Sequence, residues 1–113
     1  MKLKVVFLRS AETDLKELRN YILKNFGKDN WQTCLNKIKA SVDTIQSFPE
    51  RGNIPEELVS VSLSQYRQVV SGMNRIIYEV RGDTAYIHIV CDTRKEMKAL
   101  LTKRLLRINQ GYA

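Results

Sequence analysis

Residues 69–96 have the sequence VVSGMNRIIYEVRGDTAYIHIVCDTRKE, and this stretch decides the fold. Apolar and polar residues alternate on both sides of Gly82-Asp83, a pair typical of a two-residue hairpin turn that needs glycine first. The pattern therefore predicts antiparallel strands over residues 75–81 and 84–91. A further strand predicted at residues 66–70 completes a three-stranded meander.

The predicted turn also fixes the register of the hairpin, because a slip of one residue would move every side chain to the opposite face. The predicted cross-strand pairs are Arg81–Thr84, Val80–Ala85, Glu79–Tyr86, Tyr78–Ile87, Ile77–His88, Ile76–Ile89 and Arg75–Val90. The first face, expected to be core, then has Ile76, Tyr78, Val80, Ala85, Ile87, Ile89 and Cys91. The second face has Arg75, Ile77, Glu79, Arg81, Thr84, Tyr86, His88 and Val90.

The N-terminal half predicts one strand followed by two helices. Residues 3–8 are β-branched and aromatic, as is typical of a strand. Apolar residues then recur at helical spacing over residues 11–22 and again over residues 31–48, with Gly27 between the two helices and Pro49 after the second. The short connection predicts an antiparallel helical hairpin that covers the first face. Residues 49–64 include both prolines and predict a surface loop.

The C-terminal residues predict a basic helical segment. Apolar residues recur at helical spacing, and cations outnumber acids. The apolar positions are Met97, Leu100, Leu101, Leu105 and Ile108. The fold class is therefore predicted to be α+β: an antiparallel sheet of about four strands packed on an N-terminal α-helical hairpin, with a basic C-terminal helical segment, in a single domain spanning residues 1–113.

Charge and composition favour an anionic partner. The formal net charge of +7 suits nucleic acid, an acidic protein or the ribosome. No apolar run is long enough for a membrane span, and the N-terminus predicts a strand rather than a signal peptide, so we expect a cytoplasmic protein. Cys34 and Cys91 are expected to be free thiols. A lone histidine and isolated glycines predict no metal site and no cofactor.

The mixed second face admits three interpretations. It is a half-solvated sheet surface, or an RNA site in which Arg75 binds phosphate while Tyr86 and His88 transfer protons. Alternatively it is a protein-binding patch in which exposed Ile77, Val90 and Tyr86 are ringed by charges.

Four stretches resemble the RelE/ParE toxin superfamily, and most closely its ParE-like members. Residues 48–58, FPERGNIPEEL, resemble the proline-glycine loop of ParE toxins. Residues 66–67, YR, and residues 74–80, NRIIYEV, resemble the family's central strands. Residues 88–94, HIVCDTR, resemble its last strand, with aspartate where histidine or glycine is common. The resemblance covers nearly the whole chain.

The resemblance implies a bacterial toxin of a type II toxin–antitoxin pair. Its antitoxin would be acidic, would wrap the toxin with a partly helical segment, and would repress the operon through its own DNA-binding domain. The toxin would thus meet operator DNA only through the antitoxin. ParE-like members poison DNA gyrase and stabilise plasmids, whereas RelE-like members are ribosome-dependent mRNA endoribonucleases.

The cations favour the gyrase-directed branch. RelE-like enzymes place several cations before and along the central strands, but residues 52–74 contain no lysine and one arginine, Arg67. Arg75 matches the arginine that such enzymes keep on the central strand. Their second arginine has no match at residues 90–92, and the next cation along the chain is Arg94. Their terminal tyrosine has no clear match either, and the nearest candidate position is Lys98.

Two sets of site residues follow from the resemblance and the predicted faces. As an endoribonuclease, the protein would use Arg75, Tyr86, His88 and Arg94. For contact with the target or the antitoxin we expect Arg67, Arg75, Ile77, Arg81, Tyr86, His88, Arg94, Lys95 and Lys98.

Overall fold

The computed structural model describes residues 2–59, 63–93, 99–100 and 102–106. The elements are β1 (Lys4–Phe7), α1 (Arg9–Asn25), α2 (Lys28–Ser47), a 3-10 turn (Pro49–Arg51), α3 (Glu56–Val59), β2 (Tyr66–Ser71), β3 (Asn74–Arg81), β4 (Thr84–Asp92) and a π-helical turn (Thr102–Leu106). None of the helices in these ranges is long and apolar enough to cross a membrane.

The four strands form one sheet in the order β1-β4-β3-β2. The β2–β3 and β3–β4 pairs are antiparallel, as predicted for the meander. β1 lies parallel to β4, so the sheet is mixed, and the prediction of an antiparallel sheet is wrong for this strand. A parallel neighbour requires a long crossover, and the helical hairpin supplies it. The predicted α+β class, with a sheet packed on an N-terminal helical hairpin, is confirmed.

The helical hairpin covers the first face of the sheet, as predicted. Ala11 of α1 and Ile38 and Ile45 of α2 are buried against this face. The sheet contributes Ile76, Tyr78, Ala85, Ile87 and Val90 to the same core. Val80, also predicted to lie in this core, is 39% exposed. Its place beside the turn, at the rim of the sheet, accounts for the difference.

The predicted register is right near the turn and wrong beyond it. Gly82 adopts a φ of +60°, and the pairs from Arg81–Thr84 to Tyr78–Ile87 form as predicted. A β-bulge follows, because Ile77 pairs with Ile89 and leaves His88 as the extra residue of β4. The shift of one residue reverses the faces beyond that point.

The faces of three residues change because of this bulge. Val90 pairs with Ile76 and lies under the helices, not on the second face. Ile89 and Cys91 lie on the second face, not under the helices. The geometric prediction that Arg75 and His88 share the face away from the hairpin is confirmed. His88 contacts Tyr66 of the second face, and Arg75 lies on the same face of β3 as Ile77, two residues along the strand.

The second face is a second hydrophobic core rather than an open surface. Ile77 is 0% exposed and His88 4% exposed. The buried members of this core are Leu58, Leu63, Tyr66, Ile77, Ile89, Cys91 and Leu105. Leu58 and Leu63 come from the segment predicted to be a surface loop, and Leu105 from the C-terminal segment. These segments add a third layer, so the expectation of a half-solvated face is wrong.

The segment after α2 is held by hydrogen bonds to β2 and β3. Asn53 forms an isolated antiparallel bridge with Gln68. Tyr78 Oη donates to the Pro49 carbonyl at 2.5 Å, and Arg67 Nη1 donates to the Gly52 carbonyl at 2.7 Å. A Cβ at Gly52 would lie 2.8 Å from the Gln68 carbonyl oxygen, so glycine permits this close approach. The segment thereby places α3 over the second face.

Candidate functional site

An arginine held by three hydrogen bonds lies at the β2 side of the second face. Arg75 Nη1 and Nη2 donate to the two carboxylate oxygens of Glu57 at 2.9 and 3.0 Å, and Nε donates to Gln68 Oε1 at 2.7 Å. The side chains of Arg75 and Glu57 are 11% and 25% exposed. This bidentate geometry is the one in which a guanidinium binds phosphate. Glu57 therefore occupies the part of Arg75 that an RNA phosphate would need.

The pair shifts both ionisation equilibria toward the charged forms. The hydrogen bonds from Arg75 lower the pKa of Glu57, against an opposing effect of burial. The hydrogen bonds to Glu57 raise the pKa of Arg75. The two groups therefore remain ionised together at neutral pH, and the positive charge of Arg75 is compensated by the carboxylate of Glu57.

A second polar cluster surrounds the histidine at the bulge. His88 Nε2 lies 3.1 Å from Glu79 Oε1, and Arg81 Nε lies 3.0 Å from Glu79 Oε2. The Tyr66 ring meets the imidazole edge to face at a centroid distance of 5.0 Å. His88 Nδ1 is buried, and no hydrogen-bond partner for it exists among the residues that the structure describes. Burial lowers the pKa of His88, although Glu79 opposes the shift.

The C-terminal segment is anchored on the same cluster. Arg104 Nη1 donates to both carboxylate oxygens of Asp14 at 3.0 Å, and Nη2 donates to the His88 carbonyl at 2.8 Å. Asp14 Oδ2 also accepts the Val90 backbone N–H at 3.0 Å. Arg104 thus joins α1, the bulge of β4 and the C-terminal segment, which brings Leu105 onto the second face.

The buried imidazole predicts a pH-dependent stability. The folded state disfavours the imidazolium, so the unfolded chain binds that proton more readily and the free energy of unfolding falls as pH drops below the ordinary histidine pKa. Glu79, Arg81 and Arg104 are the charged groups that affect this titration. We expect the protein to lose more stability between about pH 7.5 and about pH 5 than a His88→Gln variant.

Urea unfolding at several pH values measures this difference. His88→Gln keeps a hydrogen-bonding group opposite Glu79 but does not titrate, and the carboxylates are common to both proteins. Parallel stability profiles for the two proteins would contradict the assigned burial of a neutral imidazole.

The predicted site residues do not form one accessible surface. Arg75, Ile77 and His88 are buried. Tyr86 is half-buried, and Arg81, with a side chain 65% exposed, is the accessible cation of the meander within the described ranges. Arg67 is engaged with the Glu50 and Gly52 carbonyls. The exposure predicted for Ile77 and Val90 is wrong, because both are buried; the binding role of the patch stays a prediction. Arg94, Lys95 and Lys98 lie outside the described residues.

Two polar partners were missed by the sequence patterns. Glu57 stands on a four-residue helix, too short for periodicity to indicate which way the carboxylate points. Gln68 lies on β2 opposite Ile77, and the alternation of β2 could have indicated that it shares a face with Arg75. Neither the ion pair nor the bulge at His88 has a local signature.

Comparison with known proteins agrees with this architecture. A family model described as ParE toxin of type II toxin-antitoxin system, parDE, matches residues 5–99. A chain of the chromosomal ParDE toxin–antitoxin system from P. aeruginosa is similar in fold, with a TM-score of 0.66, 15% identity, and coverage of 80% of this chain and 96% of that chain. No curated protein matches the sequence.

Two RelE-type structures are also similar in fold. The RelBE2 toxin–antitoxin complex from Mycobacterium tuberculosis aligns at a TM-score of 0.58 and 19% identity, over 81% of this chain and 99% of that chain. A mutant of the E. coli toxin RelE in the free state aligns at a TM-score of 0.60 and 18% identity, over 96% of this chain and 99% of that chain.

Proposed function

Because the chain belongs to the ParE toxin family of type II toxin–antitoxin systems, we propose that it is a toxin that inhibits DNA gyrase by direct protein contact and so blocks replication. A cognate acidic antitoxin would neutralise it and would link it to operator DNA. The net charge of +7 supports an acidic partner.

The bidentate ion pair that Arg75 forms with Glu57 is the observation that favours gyrase over RNA as the target. Metal-free RNA cleavage needs a cation for the phosphate and proton-transfer groups within reach of the ribose. Arg75 already binds a carboxylate in bidentate geometry, and His88 is 4% exposed. An inhibitor that acts through protein contact needs neither group to be free.

Ribosome-dependent mRNA cleavage is the second candidate. Arg75, Tyr86 and His88 share the second face, as the endoribonuclease hypothesis requires. Arg75 and His88 are buried, so RNA would reach these two residues only if side chains packed on the second face, such as Leu58 of α3, moved away. This candidate therefore requires a conformational change, whereas gyrase inhibition uses the fold as it stands.

Two assays on the purified toxin test the proposal directly. We expect inhibition of supercoiling by bacterial gyrase in vitro and no cleavage of ribosome-bound message at the same toxin concentration. Cells that express the toxin without its antitoxin are expected to form filaments and to induce the SOS response. Codon-linked cuts with normal supercoiling would overturn the proposal, and so would growth without any defect.

A variant pair separates the two candidates further. His88→Gln should inhibit supercoiling as strongly as the unmodified toxin, because the imidazole is buried. Arg81→Gln, which removes an exposed cation, is the comparison. It should weaken the inhibition of supercoiling more than His88→Gln does, because a protein-contact mechanism depends on surface charge. Loss of toxicity in His88→Gln alone, with the fold intact by circular dichroism, would favour the acid–base role.

A further inference from the structure

The sheet has an edge at β1, which is the outermost strand on the side of β4. Lys4 N donates to the Asp83 carbonyl at 2.9 Å, and Leu8 N donates to a carbonyl of β4 at 3.0 Å. Because the backbone groups of successive strand residues point in opposite directions across the sheet, those of Val5 and Phe7 point away from β4. The outer edge of β1 is therefore formed by the N–H and C=O groups of these two residues.

Hydrogen bonds from α2 cover this edge just before the strand begins. Leu3 N donates to the Gln46 carbonyl at 3.1 Å, and Gln46 Nε2 donates to the Leu3 carbonyl at 3.0 Å. Among the residues that the structure describes, the outward groups of Val5 and Phe7 have no such partner. An edge with unpaired backbone groups is a template on which an extended segment of another chain can add as a further strand.

The side chains of β1 define what an added strand would contact. Val6 pairs with Tyr86 of the second face, and Lys4 precedes Val6 by two positions, so both lie on that face. The Lys4 side chain is 78% exposed and Val6 is 41% exposed. Val5 and Phe7 pack against the core under the helices. An added strand would thus contact a cation and an apolar side chain on one face and apolar side chains on the other.

The charges along β1 favour an acidic strand over a second copy of this chain. Lys2, Lys4 and Arg9 are exposed. Asp83 Oδ2 lies 3.9 Å from Lys4 Nζ, but both side chains are more than three-quarters exposed, and ion pairs of this kind are weak. Two copies of β1 placed side by side would bring these cations together in a chain whose net charge is already +7. An acidic segment would instead be attracted to them.

We propose that β1 accepts an acidic, extended segment of a partner polypeptide as an antiparallel fifth strand. The backbone of that segment hydrogen-bonds to the outward groups of Val5 and Phe7. A carboxylate of the segment lies beside Lys4, and an apolar side chain two positions away lies beside Val6. The proposal rests on the proposed function only in requiring an acidic protein partner, and it is independent of gyrase as the target.

A blocked pentapeptide tests the backbone pairing when it is titrated into the full-length protein and followed by NMR. In acetyl-Thr-Val-Thr-Glu-Thr-amide the valine and the glutamate share one face, at the spacing of Val6 and Lys4 in an antiparallel pair. We expect the largest amide shifts at Val5, Val6 and Phe7. The same peptide methylated on the amide nitrogen of its central threonine cannot donate to the edge and should bind about tenfold more weakly. Equal binding of the methylated peptide would overturn the proposal.

A proline in β1 tests the same edge from the side of the protein. Val5→Pro removes an outward N–H and keeps the hydrogen bonds to β4, so the sheet should remain folded. Peptide binding should fall about tenfold in Val5→Pro but persist in Val5→Ala, which controls for the lost side chain. Unchanged binding in a folded Val5→Pro would contradict strand addition. If this variant does not fold, the methylated peptide still decides the question with the unmodified protein.

A peptide of opposite charge tests the acidic character of the partner. Acetyl-Thr-Val-Thr-Lys-Thr-amide should bind roughly twofold to fivefold more weakly than the glutamate peptide, and Lys4→Gln should reduce this ratio toward one. Lys39→Gln, at an exposed position of α2, is the control for loss of one positive charge. Equal affinities for the two peptides, shifts outside β1, or no binding at millimolar concentration would overturn the proposal. These titrations contain no gyrase, so they remain informative if the supercoiling assay fails.

Discussion

Replacing Ile77 by alanine is expected to lower the free energy of unfolding by about 2–5 kcal/mol. Ile77 is 0% exposed, pairs with Ile89 of β4, and belongs to the same buried cluster as Tyr66, Leu58 and Leu105. The truncated side chain would leave a cavity that two different strands, α3 and the C-terminal segment would have to fill. Urea or thermal unfolding measures the loss.

Val70→Ala is the matched control for this substitution. Val70 belongs to the neighbouring strand β2 but is 61% exposed, so its truncation should change stability by less than about 0.5 kcal/mol. If Ile77 lay on a half-solvated face, which was one of the three interpretations of the sequence, both variants would behave alike. Equal stabilities of the two variants would therefore contradict the second core.

The strands and the sheet order near the turn could be predicted because their signals are local. Gly82 supports the turn, and the alternation on both sides of it gives four correct pairs. The helices follow from apolar residues at helical spacing. The sequence-based boundaries of β2, β3 and β4 each differ from the observed ones by one residue, within the usual fraying of element ends.

The bulge could not be predicted because it only adds one residue to β4 opposite β3 and leaves both faces apolar at that point. Both the regular register and the bulged register bury apolar residues on each face, since Ile89, Val90 and Cys91 are all apolar. The contacts that accompany the bulge are tertiary: Val90 packs under the helices, Ile89 and Cys91 join the second core, and the His88 carbonyl accepts a hydrogen bond from Arg104. In a run of consecutive apolar residues, alternation of apolar and polar side chains no longer indicates which face each residue occupies.

The burial of the second face was missed for a related reason. Its polar residues indicated solvent, but they are paired within the chain: Arg75 with Glu57, and Glu79 with His88 and Arg81. Pairing makes burial of such groups tolerable. The partner of Arg75 lies 18 positions away along an irregular segment, so neither periodicity nor spacing connects the two residues.

Removing the guanidinium with Arg75→Met is expected to lower the free energy of unfolding by about 3 kcal/mol, because Glu57 would remain as an unpaired, three-quarters-buried carboxylate. The double variant Arg75→Met with Glu57→Leu should recover most of this loss, since an apolar pair of similar volume replaces the ions. Arg19→Met, at an exposed position of α1, is the control for loss of one positive charge. If the loss of unfolding free energy in the double variant equalled the sum of the losses from the two single substitutions, the two side chains would not interact.

The same ion pair determines the behaviour of the fold in acid. Because Arg75 lowers the pKa of Glu57 in the folded state, the unfolded chain takes up that proton at a higher pH. The stability that the pair contributes is therefore present above the ordinary glutamate pKa and is lost as pH falls through the lowered value. Glu57→Gln should lose less stability than the unmodified protein between about pH 6 and about pH 3, while starting about 1 kcal/mol lower at neutral pH. If both proteins lose the same stability over this range, Glu57 does not bind Arg75 as an ion, and the observation that favours gyrase over RNA is lost with it.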